Sequence, residues 1–167
     1  MENLTPSRTP VLALRQHHAI EHATMTLLSQ RVSGVQLVAR SDLQGFILYG
    51  DVDTGTLKAT AEEALARLQH GQSGLALHPN CGTNLVAAGV LSGLAALAAS
   101  GGQRRSLWER VPSAVLGATV ALVVAMPLGR WLQAHVTTSA QVHGLRIVSV
   151  TGIGGSAIER HRVTIAA

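Results

Sequence analysis

Two long apolar runs most constrain what this chain of 167 residues can fold into. The first, Leu85 to Ala99, has Ser92 as its one polar side chain, and the second, Val111 to Leu132, contains Pro127 and has Arg130 as its one charged side chain. A transmembrane helix needs about 20 mostly apolar residues, and with its polar neighbours the first run reaches about 18. The sequence therefore predicts a transmembrane helical hairpin. The alternative is a helical hairpin buried inside a soluble protein.

Aromatic and small residues favour the membrane interpretation. Trp108 and Trp131 bracket the second run, and their separation of 23 residues corresponds to roughly 34 Å of helix. Small residues recur at every fourth position, the spacing of close-packed helices in lipid. They are Gly89 and Gly93 in the first run, and Gly117, Ala121, Ala125 and Gly129 in the second.

The composition and charge of the chain indicate its cellular compartment and the kind of partner it contacts. The chain is 47% hydrophobic and 13% charged, and its single cysteine, Cys81, excludes an internal disulfide. Residues 84–167 carry seven arginines against Glu109 and Glu159, and these basic residues are scattered, with no aromatic platform on which bases could stack. We therefore expect contact with lipid headgroups and no nucleic acid. The loop arginines Arg104 and Arg105 favour a cytoplasmic loop, but arginines near the opposite ends of the spans balance them. The polar start of the chain shows no signal peptide, so we expect an inner-membrane protein with both termini in the cytoplasm.

A histidine-rich stretch near the N-terminus contains His18-x-x-Glu21-His22. This is the H-x-x-E-H spacing of one class of zinc peptidases. On a helix, two histidines four residues apart lie on one face and can reach one metal ion. Glu21 shares that face and could act as the catalytic general base, with His17 in support. The alternative is an amphipathic helix that carries these histidines by chance.

A second polar cluster immediately precedes the first apolar run. His78 and Cys81 are three residues apart, and both can bind a borderline divalent metal such as zinc. Asn80, Thr83 and Asn84 could hydrogen-bond an oxyanion. The alternative is an ordinary turn into a helix, with Cys81 packed as a small hydrophobe. Because the H-x-x-E-H motif occurs in the same chain, we favour the metal interpretation of this second cluster.

The remaining chain predicts an α+β fold in which a small sheet and two amphipathic helices receive the inserted membrane hairpin. The helices are expected from Pro10 to Arg31 and from Asp53 or Thr54 to about Gly71. Strands are expected at Val35–Ala39, Phe46–Tyr49, Leu75–Leu77, 145–150 and 158–165, the last two around the glycine-rich turn 151–156. We divide the chain into a flexible tail (1–9), an α+β part (10–83), the hairpin (84–135) and a C-terminal β-hairpin that joins the sheet (143–167).

Two motifs together resemble an uncharacterised family of small bacterial membrane proteins, classed as a domain of unknown function. They are His18-Ala-Ile-Glu-His22 and His78-Pro-Asn-Cys-Gly-Thr-Asn84, and Phe46 to Val52 also fits. A more distant likeness is to the YqhQ-type membrane family, although this chain has Ala23 and Asn80 where that family is basic. The resemblance implies that the two motifs form one site.

Three functions remain open. In the first, a membrane-attached hydrolase acts on a protein or peptide, with His18, His22 and either His78 or Cys81 holding zinc or another divalent metal. In the second, all four side chains close a structural or sensing metal site without chemistry. In the third, the chain is a metal-free scaffold for a membrane partner. The oligomeric state is not predicted.

Overall fold

The computed structural model describes residues 9–32, 34, 36–101, 106–154 and 159–167. The chain divides into two compact units. The first comprises Met1–His78 together with Ala134–Ala167, and the second comprises Pro79–Gln133.

The first unit is an α+β unit, which confirms the predicted mixed class. In its described residues, two α-helices accompany a four-stranded antiparallel sheet of order β1-β2-β4-β3. The elements are α1 (Pro10–Arg31), β1 (Val38–Asp42), β2 (Gly45–Tyr49), α2 (Thr54–Gln69), a 3-10 turn (Ser73–Ala76), β3 (Arg146–Gly152) and β4 (Arg160–Ala166).

Both helices begin at the residues that the sequence predicts. Thr9 caps α1 by accepting a hydrogen bond from the Leu12 backbone N–H at 3.2 Å, and Pro10 occupies the first turn, where no hydrogen bond is lost. Asp53 caps α2 in the same way through the Thr56 N–H at 2.8 Å. Local capping chemistry therefore sets both start points.

The sheet confirms that the C-terminal strands join the strands near residue 45. Strand β4 pairs with β2 on one side and with β3 on the other. Strand β1 differs from its prediction: it covers Val38–Asp42 and pairs Asp42 with Gly45. The connection is thus a tight turn. Gly45, at a φ of +142°, lies where a side chain would overlap the Val163 backbone.

The prediction of a strand at Leu75–Leu77 is wrong. Ser73–Ala76 forms a 3-10 turn whose backbone bonds are local, including Leu77 N–H to the Gly74 carbonyl at 3.2 Å. Alternating leucines suit either structure over so short a run, and the glycine favours the turn. Part of the glycine-rich turn at 151–156 lies outside the described residues, as do Arg104 and Arg105 of the loop.

The core of this unit lies between the two helices and one face of the sheet. Phe46 and Leu48 of β2 and Val163 of β4 are fully buried, and α1 and α2 both pack against strands. The helices contribute a further set of buried apolar side chains: Ala19, Ile20, Ala23, Leu28, Leu57, Ala61, Ala64 and Leu68. This packing fixes α1, the helix that carries the histidine motif.

The second unit contains two packed helices, α3 (Gly82–Ala99) and α4 (Leu107–Leu132), and α4 runs into a π-helical turn at Gln133–Thr137. Both helices are long and apolar enough to cross a membrane, and almost none of their residues are buried. Gly117 lets the helices approach closely, because a Cβ there would stand 2.9 Å from the Ala95 carbonyl. The predicted fold class is confirmed: the fold is α+β and includes two helices that are long and apolar enough to span a membrane.

Candidate metal centre

Helix α1 brings the two histidines of the H-x-x-E-H motif together. The ring centroids of His18 and His22 lie 4.3 Å apart, with the ring planes at 60°. Four residues are slightly more than one helical turn, so both side chains leave the same face. The helix alone produces this pairing.

Backbone carbonyls fix the orientation of both rings. His22 Nδ1 lies 2.7 Å from the Ala76 carbonyl oxygen, and His18 Nδ1 lies 3.0 Å from that of Thr137. A carbonyl only accepts hydrogen bonds, so each Nδ1 is the protonated donor and each Nε2 carries the lone pair. Metal-binding histidines are typically held in this way, with the second ring nitrogen bonded to a carbonyl or carboxylate.

The segment that supplies the Thr137 carbonyl is itself attached to α1. The Arg15 guanidinium donates to the carbonyls of His135 and Thr138, at 2.9 and 3.0 Å, and the Ser139 N–H donates to the Arg15 carbonyl at 3.0 Å. Charge-assisted bonds on both sides of Thr137 hold its carbonyl in place. Arg15 shows no sign of this role in the sequence, because its partners are backbone atoms.

His78 joins the two motif histidines. Its ring centroid lies 5.8 Å from that of His22, with the planes tilted by 42°. The 3-10 turn at Ser73–Ala76 positions it, because the turn ends two residues earlier and also supplies the carbonyl that holds His22. Three predicted ligands, His18, His22 and His78, are thus neighbours within the first unit.

Cys81 is buried, with 6% of its surface exposed, and it is the residue that precedes α3. Cys81 belongs to the second unit, whereas His18 and His22 belong to the first. Imidazole and thiolate together are the ligand types that zinc prefers.

Glu21 is 7% exposed, and its carboxylate accepts a hydrogen bond from the Ser41 hydroxyl of β1. The carboxylate is therefore oriented by the sheet. This role of Ser41 was not predicted, because the residue lies beyond the predicted end of the first strand at Ala39.

His17 is buried on the side of α1 that faces β1. Its Nδ1 donates to the Asp42 carbonyl at 2.8 Å. The Asp42 carboxylate pairs with Arg162 of β4. Partial burial raises the pKa of Asp42, but the Arg162 hydrogen bond and charge outweigh that effect, so the pKa lies below its usual range. His17 thus attaches α1 to a charged pair at the edge of the sheet.

The polar residues predicted to support an oxyanion have different surroundings. The Asn84 amide donates to the Pro79 carbonyl at 2.9 Å and accepts from Gln133 Nε2 at 2.7 Å, and Gly129 packs directly against it. Asn84 therefore stabilises the hairpin. Asn80 is exposed and Thr83 is partly exposed.

Comparison with known proteins identifies the family. Residues 13–150 match the model of a family described as Domain of unknown function (DUF6391). The chain belongs to this family. A relative named only as an uncharacterized protein, from Picosynechococcus sp. (strain ATCC 27264 / PCC 7002 / PR-6), is 34% identical over 147 residues, which cover 82% of this chain and 71% of the relative. No solved structure matches. The predicted membership of an uncharacterised family is confirmed, and the likeness to the YqhQ-type family stays a prediction.

Proposed function

We propose that this protein is a membrane-attached metalloprotein that binds one zinc ion at the H-x-x-E-H motif of α1. The observation that carries the proposal is the shared orientation of His18 and His22. Each donates Nδ1–H to a carbonyl, and their rings lie 4.3 Å apart. A histidine that only packs in a core does not require a neighbour with the same tautomer and the same face.

The third and fourth ligands come from the second motif. His78 lies beside His22, and Cys81 follows it by three residues, a spacing common among zinc ligands. The thiol favours zinc over magnesium or calcium, which select oxygen ligands. Three of these four side chains would leave one position open for water, and all four would close the site.

The arrangement of Glu21 favours hydrolytic chemistry with the open site. A bound zinc ion would lower the pKa of water and polarise a carbonyl group. Glu21 would accept the water proton on its carboxylate and pass it to the leaving group, while the Ser41 hydroxyl keeps the carboxylate oriented. The substrate class we propose is a protein or peptide at the membrane.

Attachment to the membrane is supported by the surface of the second unit. Leu97, Val123 and Met126 are each about two thirds exposed, and only 6% of the most apolar window of the longer helix is buried. Exposed apolar surface on this scale is unfavourable in water and favourable in hydrocarbon. We place the protein in the inner membrane with both termini in the cytoplasm.

The second candidate function is a closed zinc site that is structural or senses metal. The closeness of the His78 and His22 rings favours it, because a third imidazole beside the pair reduces the room for water. The buried Cys81 thiol favours it as well, since a structural site takes four protein ligands.

One experiment separates these functions. The full chain, purified in detergent, is loaded with zinc and incubated with a mixture of fluorogenic peptides, together with the Glu21→Gln variant. The enzyme proposal predicts that both proteins hold zinc and that the variant cleaves about 10²- to 10⁴-fold more slowly. Zinc bound by both proteins with no cleavage by either would support the closed site. Failure of the wild-type protein to hold zinc would refute both.

A further inference from the structure

A second group of ionisable side chains surrounds a cavity in the first unit, where β2 leads into α2 and where β3 ends and β4 begins. The cavity volume is about 620 Å³. Its walls include Asp51, Asp53, Glu159 and His161. Backbone bonds hold these segments together, among them Gly50 N–H to the Glu159 carbonyl at 3.0 Å.

The wall of this cavity contains a buried histidine, His161, whose second ring nitrogen makes no hydrogen bond within the described part of the chain. His161 is 4% exposed, and its Nδ1 lies 3.3 Å from the Thr54 hydroxyl. Its Nε2 is buried and has no hydrogen-bond partner among the residues that the structure describes. A buried polar nitrogen without a partner is unfavourable, which indicates that this atom binds a ligand.

The spacing of His161 and Glu159 suits a metal ion. The Nε2 atom lies 3.9 Å from Glu159 Oε2, which is too long for a hydrogen bond. With bonds of about 2.0–2.1 Å, two ligands of a tetrahedral ion stand roughly 3.3 Å apart. Glu159 is 64% exposed, so a small rotation of its side chain would close the difference.

The charge of the cavity also favours a cation. Three carboxylates, those of Asp51, Asp53 and Glu159, line it against the single guanidinium of Arg160. The Asp53 carboxylate accepts the Thr56 backbone N–H at 2.8 Å as the cap of α2. The capping bond also offsets the positive end of α2.

We propose that this cavity is a second divalent-metal site, in which His161 Nε2 and the Glu159 carboxylate are the principal ligands and Asp51 or Asp53 contributes a further oxygen. One imidazole with carboxylates suits zinc or manganese.

The two sites are separate. Glu21 of the first motif contacts Ser41, which pairs with Phe46, whereas the cavity begins beyond Tyr49 at the other end of β2. Three strand residues alone span about 10 Å, too far for one ion to be shared.

The test counts zinc bound per chain after equilibrium dialysis of the full chain in detergent. The double variant His18→Ala/His22→Ala removes the first site and should retain one ion. Adding Glu159→Gln should weaken the remaining ion by at least about tenfold. Glu159 is mostly exposed, so the substitution should leave the fold intact. Glu62→Gln, the same charge change on the exposed side of α2, is the matched control.

A second readout uses manganese as the probe. Mn²⁺ should broaden the imidazole proton signals of His161 in the double variant, and Glu159→Gln should reduce the broadening. If the double variant binds no zinc while the wild-type protein binds one ion, the second site is refuted and the first survives. If Glu159→Gln behaves like Glu62→Gln, the assignment of the ligands is wrong.

Discussion

The stabilisation of the fold by zinc can be predicted from the surroundings of His22. This side chain is 2% exposed, and its Nδ1–H bond to the Ala76 carbonyl is 2.7 Å long. Without metal, His22→Ala leaves that buried carbonyl without its donor, which costs about 1–3 kcal/mol. With metal, the variant also loses a ligand.

The stability that bound zinc adds, and that His22→Ala loses, can be calculated. An ion that binds only the folded state adds about 2.7 kcal/mol of stability when its free concentration is 100 times the Kd. At about 2–4 °C per kcal/mol, the wild-type melting temperature should rise by about 5–11 °C on adding zinc. His22→Ala should show a lower melting temperature without zinc and a smaller rise with it than the wild type, because only the second proposed site remains to bind the ion.

Differential scanning fluorimetry in detergent, with and without zinc, measures both effects. His70→Ala is the matched control, because the side chain of this exposed histidine bonds the Ala66 carbonyl at the end of α2. Its zinc-induced rise should equal that of the wild type. An equal rise in His22→Ala would refute the assignment of His22 as a ligand. An equal rise in the wild type and in a variant that lacks all the proposed ligands would point to zinc bound elsewhere.

Three further predictions concern the hairpin and the sheet. Gly129→Ala should destabilise the protein in detergent by about 1–3 kcal/mol, because the added methyl overlaps a packed side chain, whereas Gly93→Ala, with nothing within 4 Å, should be neutral or slightly stabilising. The pKa of Asp42 is lowered, so its ion pair stabilises the fold above the ordinary value of 3.8 and is lost as the pH falls below it; Asp42→Asn should flatten that acid limb in pH-dependent unfolding. Val120→Arg, on an exposed face near the middle of α4, should cost about 2.5–3.5 kcal/mol of membrane insertion, measured by carbonate extraction, and Val38→Arg on β1 should not change extraction. Unchanged extraction of the first variant would contradict a membrane-spanning α4.

The local elements could be predicted because their causes are local. Helices α1 and α2 begin where Thr9 and Asp53 supply caps, and the two apolar runs identify themselves by length. Strand β1 begins later in the chain than predicted, because β-branched residues occur before the point where its pairing starts. The register is set only by the position of Gly45.

The histidine pair and its glutamate were visible in the sequence because a spacing of three and four residues on a helix determines which side chains share a face. The sequence could not reveal what holds them. The carbonyls of Ala76 and Thr137 orient the two rings, and the hydroxyl of Ser41 orients Glu21. A carbonyl is present at every residue, so it leaves no mark in the sequence, and only the folded chain decides which of them faces a histidine.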